Sequence, residues 1–142
     1  MTIQILKPFD AHLHLRSGNI AELVTPLSAK QFSDVIVMPN LQPPVNTVLK
    51  ALEYKEFLQS ISPNCNFHMA IYLTESTTVE EIKKAADNPS IIGFKLYPMN
   101  ATTGSDNGIS DIKKVYHLFE EMEKNNVPLM IHGEVTRPEI DI

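Results

Sequence analysis

Short apolar runs alternate with longer amphipathic ones along this 142-residue chain, and that alternation most limits the folds open to it. The spacing predicts strands over Lys7–Leu15, Asp34–Met38, Phe67–Leu73, Ile91–Leu96 and Leu129–His132. Between them it predicts helices over Ile20–Lys30, Val48–Ile61, Val79–Asp87 and Asp111–Asn125. The later strands are almost continuously apolar, which predicts burial on both faces and a parallel sheet beneath helices. Local signals support the helices. Thr78 with Glu81 fits a capping box, Ser110 fits an N-cap, and Ile112, Val115, Tyr116, Phe119 and Met122 form one apolar stripe. Pro26 weakens the first helix, because a proline inside a helix removes a donor and crowds the preceding turn.

A βαβα order fits either an open doubly wound sheet or part of a closed barrel, and the placement of reactive side chains favours the barrel. In a parallel (β/α)8 TIM barrel they gather at the C-terminal ends of several strands. Here His12, His14, Asn40, Lys95 and His132 all fall at such ends. A nucleotide-binding sheet would carry a glycine-rich turn after the first strand, where this chain has Arg-Ser-Gly-Asn at 16–19. A whole barrel takes about 250 residues. The expectation is therefore an α/β chain supplying about the first five units, with residues 1–142 the N-terminal part of a single barrel domain.

Within Asp10-Ala-His-Leu-His-Leu-Arg16, alternation along a strand puts Asp10, His12, His14 and Arg16 on one face and Ala11, Leu13 and Leu15 on the other. Two imidazoles on one face form half of a metal clamp; the plainer reading is two solvated or hydrogen-bonded histidines. Lys95 lies in the apolar run Ile91-Ile92-Gly93-Phe94-Lys95-Leu96-Tyr97. A buried ammonium without a partner sheds its proton, and the neutral amine left behind can capture carbon dioxide as a carbamate able to bridge two cations. A lysine snorkelling to solvent is the alternative. His132 closes the fifth strand-like run. Three such positions on three strand ends favour a metal site.

The composition narrows the surroundings. A net charge of −5 without a basic cluster argues against nucleic acid as a partner, while leaving room for a small anionic substrate. No apolar run reaches the length of a membrane span, and the N-terminus lacks the pattern of a secretory signal. With a single cysteine, Cys65, to which no catalytic role is assigned, a reducing cytoplasmic setting is expected.

Four segments carry a resemblance that runs in order along the chain: residues 10–16, Val37-Met38-Pro39-Asn40, Lys95-Leu96-Tyr97-Pro98-Met99-Asn100-Ala101-Thr102-Thr103, and Ile131-His132-Gly133-Glu134-Val135. They resemble the shorter-chain bacterial dihydroorotases of the amidohydrolase superfamily. His-x-His alone would indicate only the superfamily; Arg16, Asn40 and the Ala-Thr-Thr segment narrow it. The resemblance implies a hydrolase of cyclic amides that interconverts dihydroorotate and N-carbamoyl-aspartate in pyrimidine biosynthesis. It further implies two zinc ions, one on His12 and His14 and the other on His132, bridged by a CO2-derived carbamate on Lys95 together with a hydroxide. Arg16 and Asn40 would hold the substrate carboxylate, and Thr102 and Thr103 would reach it from a mobile loop.

The family pattern also requires another zinc-binding histidine and a late-strand aspartate that moves the proton, and neither can be placed. Asp10 and Asp141 do not suit the latter, and His68 and His117 read as structural. The isolated chain is thus expected to be inactive and poorly soluble, and to need the remaining C-terminal barrel segment as its partner; a homodimer stays open. Two other readings stand beside this one: another cyclic amidohydrolase of the hydantoinase or dihydropyrimidinase type, and a non-catalytic fragment.

Overall fold

The computed structural model describes residues 3–135; Asp141, considered above as an acid, lies outside them. Its elements are β1 (Phe9–Leu13), α1 (Gly18–Gln31), β2 (Asp34–Val37), α2 (Val48–Ile61), β3 (Asn66–Leu73), α3 (Val79–Ala86), β4 (Ile91–Leu96), a 3-10 turn (Ile112–Val115), α4 (Tyr116–Lys124) and β5 (Leu129–Ile131). All five strands pair in parallel in the order β1-β2-β3-β4-β5. Sequential parallel order, with a helical segment between successive strands, is the arc of a (β/α)8 barrel rather than a doubly wound sheet.

One face of the sheet builds the core. Val35, Val37, Phe67, Met69, Ile71, Leu73, Phe94 and Leu96 pack with Ala51, Leu58, Ile82, Leu118 and Met122 from the helices. Ala70, Tyr72 and Lys95 take the alternate strand positions, so they lie on the opposite face, and they too are buried. The sheet is thus covered on both faces at β3 and β4, as the apolar runs predicted. β5 departs from that expectation: Leu129 and Met130 are half-buried and Ile131 is 57% exposed. Among the described residues only β4 pairs with it.

Helix boundaries show where local signals were overruled. Helix α1 runs straight through Pro26, which leaves the Glu22 carbonyl without its usual donor. Thr47 caps α2 by accepting from the Lys50 N–H at 3.2 Å, and Thr78 caps α3 by accepting from the Glu81 N–H at 3.3 Å. The expected capping box is only half made, because Glu81 does not turn back to Thr78. Its carboxylate accepts from the Val48 N–H at 2.8 Å and from Lys84 Nζ at 2.9 Å, so α3 supplies a negative charge to the N-terminus of α2.

The segment expected as one helix from Asp111 instead opens with the 3-10 turn, capped by Asp111 accepting from the Lys113 N–H at 3.0 Å. Ser110 is not its cap. It donates through both its N–H and its hydroxyl to Glu75. Three residues per turn shift the inward face, so Val115, Leu118 and Met122 point inward while Ile112 and Tyr116 are 46% and 50% exposed.

Gly93 marks where β4 and β5 approach. A Cβ there would stand 2.3 Å from the Pro128 carbonyl oxygen, and the Gly93 φ of +148° is one that other residues rarely adopt. Gly93→Ala is expected to lower stability by at least about 2 kcal/mol in urea unfolding. An unchanged midpoint would show that β5 is not held this closely.

Candidate active site

The first strand delivers the two histidines, although not by unbroken alternation. β1 ends at Leu13, its register with β2 shifts between Asp10 and Leu13, and His14 lies past the strand. Asp10 does not point freely inward either: its Oδ1 accepts from the His12 N–H at 3.0 Å and braces the turn. The irregularity still brings the rings together, with Nε2 of His12 and His14 3.1 Å apart. Two nitrogens bound at about 2.0–2.1 Å to one tetrahedral ion lie about 3.3 Å apart, so the pair fits a single metal. Both imidazoles are held toward the neutral, ligand-competent form. For His12 the largest cause is desolvation, followed by the charge of Lys95; for His14 it is desolvation, followed by His12 and Arg16.

Lys95 is 4% exposed, and its Nζ lies 5.5 Å from the centre of the Tyr97 ring. No carboxylate among the described residues pairs with it. Desolvation alone pushes its ammonium below the usual lysine range. The snorkelling alternative therefore does not hold.

His132 follows β5 directly, its N–H donating to the Leu96 carbonyl at 2.9 Å. Its Nε2 is 2.8 Å from Glu134 Oε2. That leaves Nδ1 as the ring nitrogen available to a metal, the pattern of a ligating histidine whose other N–H is held by a carboxylate. The described residues do not gather a finished site, since no group of three or more His, Cys, Asp or Glu converges among them.

Beside the histidines a cavity of about 240 Å³ is lined by Arg16, Asn40, Thr103 and Gly104 among others. Three of the four residues expected to meet a substrate thus come together from three separate segments. Thr102 is exposed and is not among the residues lining this cavity; its backbone N–H and carbonyl are bonded to Ser105. Arg16 sits at φ 62°, a left-handed conformation that is costly for a side chain with a Cβ. The buried hydroxyl of Tyr54 on α2 donates to its carbonyl and holds it there. Gly104 lets the loop touch down, for a Cβ would meet the Asn40 carbonyl oxygen at 2.9 Å.

Sequence reasoning missed three supporting residues. Tyr54 is spaced like any core position of α2, Tyr97 looks like a strand residue, and Glu134 carries no pattern of its own. The other polar candidates behave as expected: His68 pairs with Asp34 at 3.2 Å at the start of β3, and Cys65 is buried with its thiol pushed up by desolvation.

The loop that carries Thr103 is clasped at its far end. Glu75 accepts from Ser110 and from Lys114 Nζ, and these bonds pull its carboxyl down to about 2 from 4.5. A lowered carboxyl value means that the clasp is complete above about pH 4.5 and weakens as pH falls toward about 2. Its carboxyl carbon resonance is expected to titrate near about 2; a midpoint near the ordinary 4.5 would show that the clasp is absent.

No family model matches the chain. It is 48% identical to a dihydroorotase of Alcanivorax borkumensis over 99% of its own length and 42% of that protein's. It is 46% identical, with the same coverage, to one from Acinetobacter baumannii. The chain thus spans well under half the length of these curated relatives. Among solved structures it superposes with a TM-score of 0.84 and 37% identity on dihydroorotase from Saccharomyces cerevisiae in complex with 5-fluoroorotic acid, covering 94% of this chain and 38% of that one. The Campylobacter jejuni dihydroorotase gives 0.82 and 36%, with 92% of this chain and 39% of that one covered. An L-hydantoinase from Arthrobacter aurescens gives 0.71 at 21% identity, covering 90% and 29% of the two chains, which speaks for the barrel fold alone. Among the described residues no helix is long and apolar enough to cross a membrane.

Proposed function

We propose, from a chain similar over 99% of its length to dihydroorotases, that it contributes the first five β/α units of a barrel that opens and closes the dihydroorotate ring reversibly. The observation that carries this reading is the shared pocket: Arg16, Asn40 and Thr103 line one small cavity beside a histidine pair suited to a metal. A guanidinium fork meets a planar carboxylate through two parallel hydrogen bonds. The carboxylate of dihydroorotate would sit against Arg16 and the free amide hydrogen of Asn40.

His12 and His14 would hold one zinc and His132 the other, with Glu134 orienting the His132 ring. Bound there, zinc supplies Lewis acidity that polarises the ring amide carbonyl and acidifies water. Lys95 is suited to bridging because its uncharged amine can add to carbon dioxide: a nitrogen–carbon bond forms, one proton leaves the nitrogen, and a carboxylate-like anion results. Packing by Tyr72 and Tyr97 around Lys95 excludes water from that amine. The further histidine and the proton-moving aspartate of the family pattern would come from the rest of the barrel.

The test is complementation. Residues 1–142 are co-expressed with the portion of the Alcanivorax borkumensis relative that the chain does not match, and the complex is assayed with dihydroorotate, hydantoin and dihydrouracil. The expected result is zinc-dependent hydrolysis of dihydroorotate above the other two. Preference for hydantoin or dihydrouracil would favour the hydantoinase-type alternative, and a soluble, zinc-loaded but inert complex would favour a non-catalytic role. In the same complex Arg16→Lys is expected to raise KM for dihydroorotate about 10- to 100-fold, from loss of one charge-assisted bidentate contact, with zinc content unchanged. Lost zinc would place Arg16 among the metal ligands instead.

A further inference from the structure

We propose that Tyr97 is a positioning residue for substrate binding: its buried hydroxyl fixes the side-chain amide of Asn40 and, through it, the loop that carries Thr103. Tyr97 follows β4 directly and donates to Asn40 Oδ1 at 3.2 Å; Asn40 Nδ2 in turn donates to the Thr103 carbonyl at 2.8 Å. A backbone carbonyl can only accept, so the amide nitrogen must face the loop and the amide oxygen must face the tyrosine. Only one orientation of Asn40 satisfies both partners. Nδ2 keeps its second hydrogen for a ligand in the cavity that Asn40 lines.

The tyrosine is itself a fixed point. Its ring packs at a tilt against Tyr72, with centroids 4.9 Å apart, and against His132 at 5.9 Å, and only 1% of the residue is exposed. Its carbonyl accepts from the Ile109 N–H at 2.8 Å. Tyr97 therefore grips the 97–109 loop at its root through the backbone, and near Thr103 through Asn40. Removing the hydroxyl leaves the ring packing in place, takes one donor from Asn40 Oδ1, and loosens an amide then held only by His14 and the Thr103 carbonyl.

Tyr97→Phe separates this role from packing. In the complemented barrel, the Asn40 side-chain amide protons are expected to exchange with solvent about 3- to 10-fold faster in the variant, the worth of one hydrogen bond. The Thr103 and Gly104 amide resonances are expected to shift with them, while those of β3 stay in place. Combined with Asn40→Ala, Tyr97→Phe should produce no further shift at Thr103. An Asn40 amide unaltered by Tyr97→Phe, or shifts spread through β3 and β4, would overturn the proposal.

The kinetic consequence rests on the dihydroorotase reading. In the complemented barrel Tyr97→Phe should raise KM for dihydroorotate about 3- to 10-fold and leave kcat within about twofold. An unaltered KM beside a loosened Asn40 would overturn the link to substrate. If the wild-type complex turns over no dihydroorotate while the Asn40 amide still responds, the functional reading fails and the positioning role stands.

Discussion

Replacing Lys95 with methionine is expected to make the complemented barrel more stable and nearly inert. The amine is buried without an ion-pair partner among the described residues, and desolvation is the cause that lowers its proton affinity. A thioether of similar length fills the same space without that cost, so the urea midpoint of the complemented barrel should rise by the equivalent of about 1–3 kcal/mol. Turnover of dihydroorotate by the complex should fall at least about 1,000-fold, which corresponds to about 4 kcal/mol of lost transition-state stabilisation. A residue kept at the expense of stability and essential for rate is one selected for chemistry. If Lys95→Met were instead destabilising and left turnover near normal, Lys95 would be a packing residue with a solvated head.

The second large effect concerns His12 and His14. Their Nε2 atoms already stand 3.1 Å apart, so little rearrangement separates the pair from a bound ion. His12→Ala and His14→Ala should each weaken zinc binding by the complex at least about 100-fold, beyond the 10- to 100-fold typical of an outer hydrogen-bond partner. Competition with a chromogenic chelator reads this directly. Glu134→Gln supplies the comparison, with a smaller loss expected because it only orients His132. Equal losses from all three variants would mean that the histidine pair is not itself the ligand set.

Much of the proposed site could be read as a candidate in the sequence because its residues are spaced by covalent geometry. His12 and His14 stand two apart at a strand end, and Lys95 interrupts an apolar run, so local patterns expose them. The strands were legible for the same reason: four of the five runs match their strands to within a residue at each end, while the first, Lys7–Leu15, shortens to Phe9–Leu13. What could not be read was contact between distant segments. Glu81 looked like half of a capping box and instead caps α2 across 33 residues. Ser110 looked like a helix cap and is claimed by Glu75. The 3-10 turn before α4 moved Ile112 and Tyr116 to the surface although their spacing was that of a buried stripe. Tyr54 and Tyr97 act through single hydroxyls on Arg16 and Asn40, which no periodicity records.

The expected roles of Thr102 and Thr103 divide on similar grounds. Both belong to a loop whose composition is plainly that of a connection. Both are exposed, yet Thr103 lines the pocket and Thr102 does not; buried Ser105 bonds the backbone N–H and carbonyl of Thr102.

We propose that His12, His14, Lys95 and His132 build one metal centre at the C-terminal ends of β1, β4 and β5. Anomalous diffraction at the zinc edge from crystals of the complemented barrel grown with bicarbonate tests it most directly. The expected result is one zinc bound by His12 and His14, a second bound by His132, and carbamate density on Lys95 Nζ. Zinc bound elsewhere, or an unmodified Lys95 turned to solvent beside a metal-loaded site, would contradict it.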